Sequence, residues 1–82
     1  MEGLTEGRIV HFVLDNGAHR PATVVNAWKD VALYQSEGRV NLLVFLDGEN
    51  DAEHVGMDAG DTWWRTSVPF SDDKTPGTWH WM

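Results

Sequence analysis

The tryptophans are the residues of this sequence whose type and spacing best suit binding chemistry. Five of the 82 residues are tryptophan, and each indole offers a large apolar face and one N–H donor. Trp63 and Trp64 are adjacent, so on a β-strand they point to opposite faces. One can fill the core, and the other must contact water, a loop or a partner. Trp79 and Trp81 lie two residues apart and therefore share a strand face.

Three interpretations of the terminal tryptophan pair stay open on the sequence alone. The two rings can close the hydrophobic core, pack against another subunit, or clamp a flat ligand together with nearby arginines. Base stacking on an aromatic ring contributes about 1–3 kcal/mol, and guanidinium groups bind phosphates. The residues predicted to bind a ligand on this basis are Trp63, Trp64, Arg65, Trp79, His80, Trp81 and Arg20.

The sequence lacks the motifs that mark common catalytic sites. It contains no Gly-x-Ser-x-Gly element for a serine nucleophile and no Gly-x-x-x-x-Gly-Lys loop for a phosphate. It also contains no cysteine, which excludes thiol nucleophiles and cysteine-ligated zinc. We therefore predict a protein that is not an enzyme and needs no cofactor.

Histidines and acidic residues raise the question of a metal site. The acidic stretch 47–54 lacks the Asp-x-Asp-x-Asp-Gly order of a helix-loop-helix calcium site. A zinc site built from His11, His54 and His80 has no supporting spacing. The position of His11 within an apolar run is typical of a core or edge histidine whose ring nitrogens are hydrogen-bonded. The sequence predicts no metal site.

Charge and hydropathy limit the partners. The formal net charge of −7 repels nucleic-acid backbones and anionic membranes at long range, and the six basic residues are scattered. No apolar run approaches the roughly 20 residues that span a bilayer. The acidic N-terminus lacks the apolar region of a signal peptide. We predict a cytoplasmic protein without membrane or nucleic-acid partners.

Alternating apolar residues predict short strands over most of the chain. Asn16 and Gly17, between the first two, form a strong hairpin signal. The strand at 39–46 is apolar on both faces, which predicts a central strand covered on both sides. The predicted strands cover residues 8–14, 19–28, 39–46, 62–68 and 78–81.

Two segments interrupt this pattern. Residues 29–38 could form one short helical turn or an irregular loop, and the loop is favoured because nothing there repeats long enough for a stable helix. Residues 47–61 carry six acidic side chains and no Lys or Arg, which indicates a long solvated connection.

The strand pattern predicts one all-β domain over residues 1–82, a small five-stranded SH3-like barrel. An OB-like barrel is the second interpretation, because that fold normally includes a helix and this sequence barely offers one. So short a chain buries only about 60–65% of its unfolded surface, and no disulfide compensates. Together with the surplus of tryptophan, this predicts a homo-oligomer.

The residue order resembles a group of short proteins from bacteriophages and prophages. The resemblance is carried by GRIVHFV at 7–13, HRPA at 19–22, VNL at 40–42 and PGTWHW at 76–81. It covers most of the chain and omits residues 29–38 and the acidic segment. It implies a phage or prophage setting and brings no activity or site residues with it.

Two functions of different kinds follow. The first is a phage accessory protein that sequesters a small nucleotide-derived host defence signal, since sequestration needs only stacking surfaces and phosphate donors. The net negative charge opposes an anionic ligand unless arginines converge. The second is a protein-interaction module, either a virion component or an inhibitor of a host protein, which an acidic surface favours.

Overall fold

The computed structural model describes residues 1–55 and 60–82, and in these ranges the chain is mostly β-sheet. The strands are β1 (Ile9–Val13), β2 (His19–Asn26), β3 (Val40–Phe45), β4 (Thr62–Val68) and β5 (Trp79–His80). The helices are α1 (Ala32–Glu37) and α2 (Glu49–Val55). The prediction of a small β-rich fold is confirmed. Neither helix has the length and hydropathy needed to cross a membrane.

The strands form one antiparallel sheet in the order β4-β3-β2-β1-β5. The β1–β2 hairpin turns where the sequence predicts it. Asn16 Oδ1 accepts a hydrogen bond from the Ala18 N–H at 3.0 Å, and Gly17 adopts a positive φ of 86°. An L-residue with a side chain rarely adopts that conformation, so glycine suits this position.

The two edges of the sheet approach each other without forming a ladder. Beyond β4, an isolated parallel bridge joins Phe70 to Trp79 of β5. The Trp79 N–H donates to the Pro69 carbonyl and the Ser71 N–H donates to the Trp79 carbonyl, both at 3.0 Å. Within the described ranges the sheet is therefore open, and an SH3-like barrel stays a prediction.

The inner face of the sheet carries the hydrophobic core. Trp79 is its largest fully buried side chain, and its indole N–H donates to the Gly38 carbonyl at 2.6 Å. A Cβ added to Gly38 would lie only 3.0 Å from the Phe70 Cβ, so this close approach needs glycine. The buried strand residues of the core are Val10, Phe12, Ala22, Val24, Val40, Leu42, Val44, Val68 and Trp79.

The predicted loop at 29–38 is wrong in part, because α1 occupies most of it. The helix is short and buries none of its own residues, which explains its weak sequence signal. Its end is defined by Gly38, whose positive φ of 68° allows its N–H to reach the helix C-terminal carbonyls. The Tyr34 ring also packs edge-to-face on Trp28, with ring centroids 5.7 Å apart.

The prediction of a solvated connection at 47–61 is also wrong in part. It contains α2, and Asp51 of this helix is only 1% exposed. Both carboxylate oxygens of Asp51 accept hydrogen bonds of 2.7 Å from Arg20 on β2. An acidic residue that is paired in this way can be buried, and composition alone does not reveal its partner. Residues 56–59 of the predicted connection lie outside the described residues.

Asn41 is a buried polar residue that connects β3 to two other segments. Its Oδ1 accepts hydrogen bonds from the Trp28 indole N–H at 3.1 Å and the Ser67 backbone N–H at 2.9 Å. We expect Asn41→Leu to lower the free energy of unfolding by about 1–3 kcal/mol, because both donors lose their acceptor. Urea unfolding measures the change. Asn50→Leu on the exposed side of α2 is the control, and an equal loss in that variant would contradict the assigned role.

Candidate functional site

The outer face of the sheet is the side opposite the core, and strand register defines its residues. Pro21 lies across from His11, which in turn lies across from His80. On the other half of the sheet, Leu43 lies across from Trp64. The outer-face side chains are Ile9, His11, Val13, His19, Pro21, Thr23, Leu43, Phe45, Thr62, Trp64 and His80. Of these, Val13 and His80 are buried.

The prediction of a central β3 that is covered on both faces is wrong in part, because β3 does lie between β2 and β4 but Phe45 at its end is exposed. Phe45 is 41% exposed and Trp64 on β4 is 49% exposed, so large apolar rings on the outer face contact solvent. Ile9 of β1 is exposed on the same face. The sequence pattern of β3 could not distinguish a covered face from an apolar face that is left open. Such an open face marks a surface that can bind a ligand or a partner.

The adjacent tryptophans divide between the two faces, as predicted. Trp63 packs against the core, with its ring edge-to-face on Phe12 and the ring centroids 5.9 Å apart. Trp64 points to the outer face. It lies diagonally across from Phe45, because Leu43 pairs with Trp64 and Phe45 pairs with Thr62. Diagonal neighbours of this kind are about 7–8 Å apart, within reach of one flat ligand.

A shallow groove of about 330 Å³ borders the outer face beside Phe45. Its lining combines the aromatic rings of a histidine and a phenylalanine, the guanidinium of an arginine and the carboxylate of an aspartate. The groove is lined by His19, Arg20, Pro21, Phe45, Leu46 and Asp47.

Arg20, one of the predicted ligand-binding residues, is held by protein contacts. Its Nε and one terminal nitrogen donate to Asp51, and the other terminal nitrogen donates to the His19 carbonyl at 2.9 Å. Hydrogen bonding to Arg20 lowers the pKa of Asp51, and the same contact raises the pKa of Arg20. The pair is thus ionised and attaches α2 to β2 beside the groove.

Trp63 and Arg65 meet at a second groove, of about 230 Å³, on the inner side of β4. The Arg65 guanidinium stacks over the Trp63 ring at 4.3 Å from its centroid. His54 of α2 also lines this groove, and its Nδ1 lies 3.1 Å from Asp15. Arg65 is exposed here and can contact an anion, while its stacking occupies one face of the indole.

The terminal tryptophans belong to the core. Trp79 is 0% exposed and Trp81 is half-buried, with their rings edge-to-face and the centroids 5.0 Å apart. The Arg8 guanidinium covers Trp81 at 4.9 Å from the ring centroid. The predicted ligand-binding residues therefore do not share one surface. They divide among the core, the outer face and the two grooves.

Three histidines from three strands meet on the outer face. The ring centroids of His19 and His80 are 4.7 Å apart, and those of His11 and His80 are 5.4 Å apart. One ring nitrogen from each residue lies within 4.8 Å of the other two. Burial lowers the pKa of His80, and the neighbouring His19 and His11 lower it further.

This histidine cluster differs from the set considered from the sequence, which combined His11, His54 and His80. The missed residue is His19. Folding the hairpin about Asn16 and Gly17 places His19 diagonally from His11 on the same face, since Val13 pairs with His19 and His11 pairs with Pro21. The predicted turn therefore already implied that His19 and His11 share a face. The pairing of β5 with β1, which adds His80, had no local signal.

Geometry thus offers an open aromatic face, two grooves and a histidine cluster as candidate binding elements. Comparison with other proteins adds no assignment. No family model matches the chain, and no curated protein or solved structure matches it at a significant level.

Proposed function

We propose that this chain is a non-catalytic accessory protein of a bacteriophage or prophage, folded as a small SH3-like barrel. It sequesters a small nucleotide-derived host defence signal on the outer face of its sheet. The observation that carries this proposal is the pair of exposed aromatic rings, Trp64 and Phe45, beside a groove that contains His19 and Arg20. Binding of this kind requires no turnover and therefore no catalytic group.

Stacking supplies the attraction for the base. Every nucleobase has a π-face, and stacking on an aromatic side chain contributes about 1–3 kcal/mol per base. Trp64 has 49% of its surface available for such a contact. Phe45 lies diagonal to it and also lines the groove, so a ligand stacked on Trp64 could extend toward the groove.

Phosphates would meet the polar end of the groove. Arg20 is its cationic group and His19 adds an imidazole, while Asp47 and the net charge of −7 oppose an anion. Arg20 already donates to Asp51, so the histidine and the groove backbone would supply the remaining contacts. A second copy of the chain over the apolar outer face would enclose the shallow groove and exclude water. We therefore propose that the binding form is a homo-oligomer in the host cytoplasm.

A protein-interaction module is the second candidate. The exposed apolar side chains continue beyond the groove along the outer face to Ile9, and the chain is acidic. An apolar centre with charged surroundings suits a host or virion protein that carries an apolar patch and a basic rim. On this alternative the outer face binds the partner protein directly, without a small ligand.

Tryptophan fluorescence with a panel of cyclic dinucleotides, cyclic trinucleotides and mononucleotides tests the proposal. We expect saturable quenching by at least one class. Trp64→Phe should remove most of that signal, and Trp64→Ala should weaken binding by about 5- to 150-fold, the equivalent of one stacked base. Trp81→Phe is the control, since that residue packs on the core.

The outcomes separate the two functions. Flat titrations across the panel would reject sequestration of a nucleotide and favour the protein-interaction module. Loss of quenching in Trp81→Phe with retention in Trp64→Phe would contradict the outer-face site. Native mass spectrometry of protein purified from cells with active defence signalling reports the oligomer and any retained nucleotide in one spectrum.

A further inference from the structure

We propose that His11, His19 and His80 form a binding site for a transition-metal ion such as Zn²⁺. The three imidazoles come from β1, β2 and β5, and one nitrogen of each lies within 4.8 Å of the others. Imidazole is a common ligand of zinc, copper and nickel, whereas calcium and magnesium prefer oxygen. The site is independent of any nucleotide and goes beyond the proposed function.

The spacing of the nitrogens fits a metal after a small adjustment. Zinc–nitrogen bonds of about 2.0–2.1 Å in a tetrahedral arrangement place the nitrogens about 3.3 Å apart. The nitrogens lie within 4.8 Å of one another, so they must approach by up to about 1.5 Å, and we infer that side-chain rotation supplies this movement. Strand pairing already holds His11 opposite His80.

His80 provides a second, independent observation. The residue is only 4% exposed, and its Nδ1 has no hydrogen-bond partner among residues 1–55 and 60–82. Buried polar atoms are normally paired, so an orphaned imidazole nitrogen within a group of imidazoles needs an explanation. A metal ion coordinated through Nδ1 would supply the missing partner.

Metal binding competes with protonation, because an imidazole must be unprotonated at the coordinating nitrogen. The affinity of the site for a metal should therefore fall as the pH is lowered. Lys74 and Asp72 are the charged groups that face His80 beside His19 and His11.

Three protein ligands leave one tetrahedral position open, as in zinc sites that keep a water or an exchangeable ligand. His19 also lines the groove beside Phe45, so the histidine cluster adjoins that groove. An anionic ligand in the groove could then contact the ion. The histidine site itself requires no such ligand.

Metal titration of tag-free, chelator-treated protein tests the site. We expect calorimetry at about pH 7.5 to show one Zn²⁺ per chain, with binding lost near pH 5 as the imidazoles protonate. Co²⁺ in place of Zn²⁺ should give the strong visible absorption of a tetrahedral complex. His19→Gln and His11→Gln should each weaken binding at least about tenfold, since even outer-shell groups contribute about 10–100-fold.

His54→Gln is the matched control, because that histidine lies beside Asp15 and outside the cluster. Its Zn²⁺ affinity should equal that of the unmodified chain. Since His80 is buried and its replacement could unfold the domain, His19→Gln is the decisive variant, with folding checked by circular dichroism. Absence of saturable binding at about 100 μM Zn²⁺, or equal losses in the His19 and His54 variants, would overturn the proposal.

Discussion

Replacing Trp79 with alanine is expected to lower the free energy of unfolding by about 3–5 kcal/mol, the range for a fully buried aromatic side chain. A chain of this length has about 4–12 kcal/mol in total, so the variant should be only marginally folded. Two losses combine: the core loses its largest buried ring, and the Gly38 carbonyl loses the indole N–H that it binds at 2.6 Å. Thermal unfolding followed by circular dichroism should show a midpoint lower by more than about 12 °C.

Two further variants separate the causes. Trp79→Phe retains most of the apolar volume and removes only the N–H donor, so we expect a smaller loss of about 1–3 kcal/mol. Trp64→Ala on the outer face removes an equal ring that is already half-exposed, and its stability should change by less than about 1 kcal/mol. Equal stability of the alanine variants at 64 and 79 would contradict the assignment of β5 to the core.

The second large effect is expected for Asp51→Asn, which keeps the shape of the side chain and removes its charge. Breaking a fully buried ion pair costs about 3–5 kcal/mol, and we expect about 2–4 kcal/mol here because part of the Arg20 side chain contacts water. The loss should appear mainly in the attachment of α2, since Asp51 also accepts the Asp47 backbone N–H at 2.7 Å. Urea unfolding and hydrogen exchange of the α2 amides measure it.

The same carboxylate predicts a pH dependence of stability. Hydrogen bonding to Arg20 lowers the pKa of Asp51 in the folded protein. Its stabilisation is therefore fully present above the pKa of the unfolded carboxyl, about 3.9, and is lost as the pH falls through the lower folded value. Asp51→Asn should remove that part of the acid sensitivity. An unchanged acid midpoint in this variant would show that other carboxyls control acid unfolding.

A double substitution provides the matching test of the pair. Arg20→Met combined with Asp51→Leu removes both charges and keeps apolar volume, so it should be more stable than either single variant. Additive losses would mean that the two side chains do not interact in solution. In that case a different contact would have to attach α2 to the sheet.

Local chemistry accounts for the parts of the fold that were predictable. The alternation of apolar residues defined where strands lie, and Asn16 and Gly17 defined the β1–β2 turn, because both signals depend on the sterics of neighbouring residues. The placement of Trp63 and Trp64 on opposite faces followed from strand geometry alone. Strand geometry does not show which of the two rings is buried, because that depends on the side of the sheet on which the core forms.

Contacts between residues distant in the chain determine the features that the sequence pattern does not show. The helix α2 exists within an acidic segment because Asp51 meets Arg20, a residue 31 positions away. The histidine cluster depends on β5 lying beside β1, and nothing near residue 80 specifies that partner. In the part of the chain that the structure describes, Phe45 and Trp64 are exposed, whereas a β-strand with two apolar faces has the same sequence pattern whether it is covered or open.

From its residues alone, this chain is recognisable as small, acidic, rich in tryptophan and built of short strands, without familiar catalytic motifs. That Trp79 closes the core, that Trp64 and Phe45 face solvent, and that three histidines meet became visible in the folded chain. Secondary structure follows from nearest-neighbour sterics and periodicity. A binding site, by contrast, arises where residues distant in the chain are brought together by register and strand order.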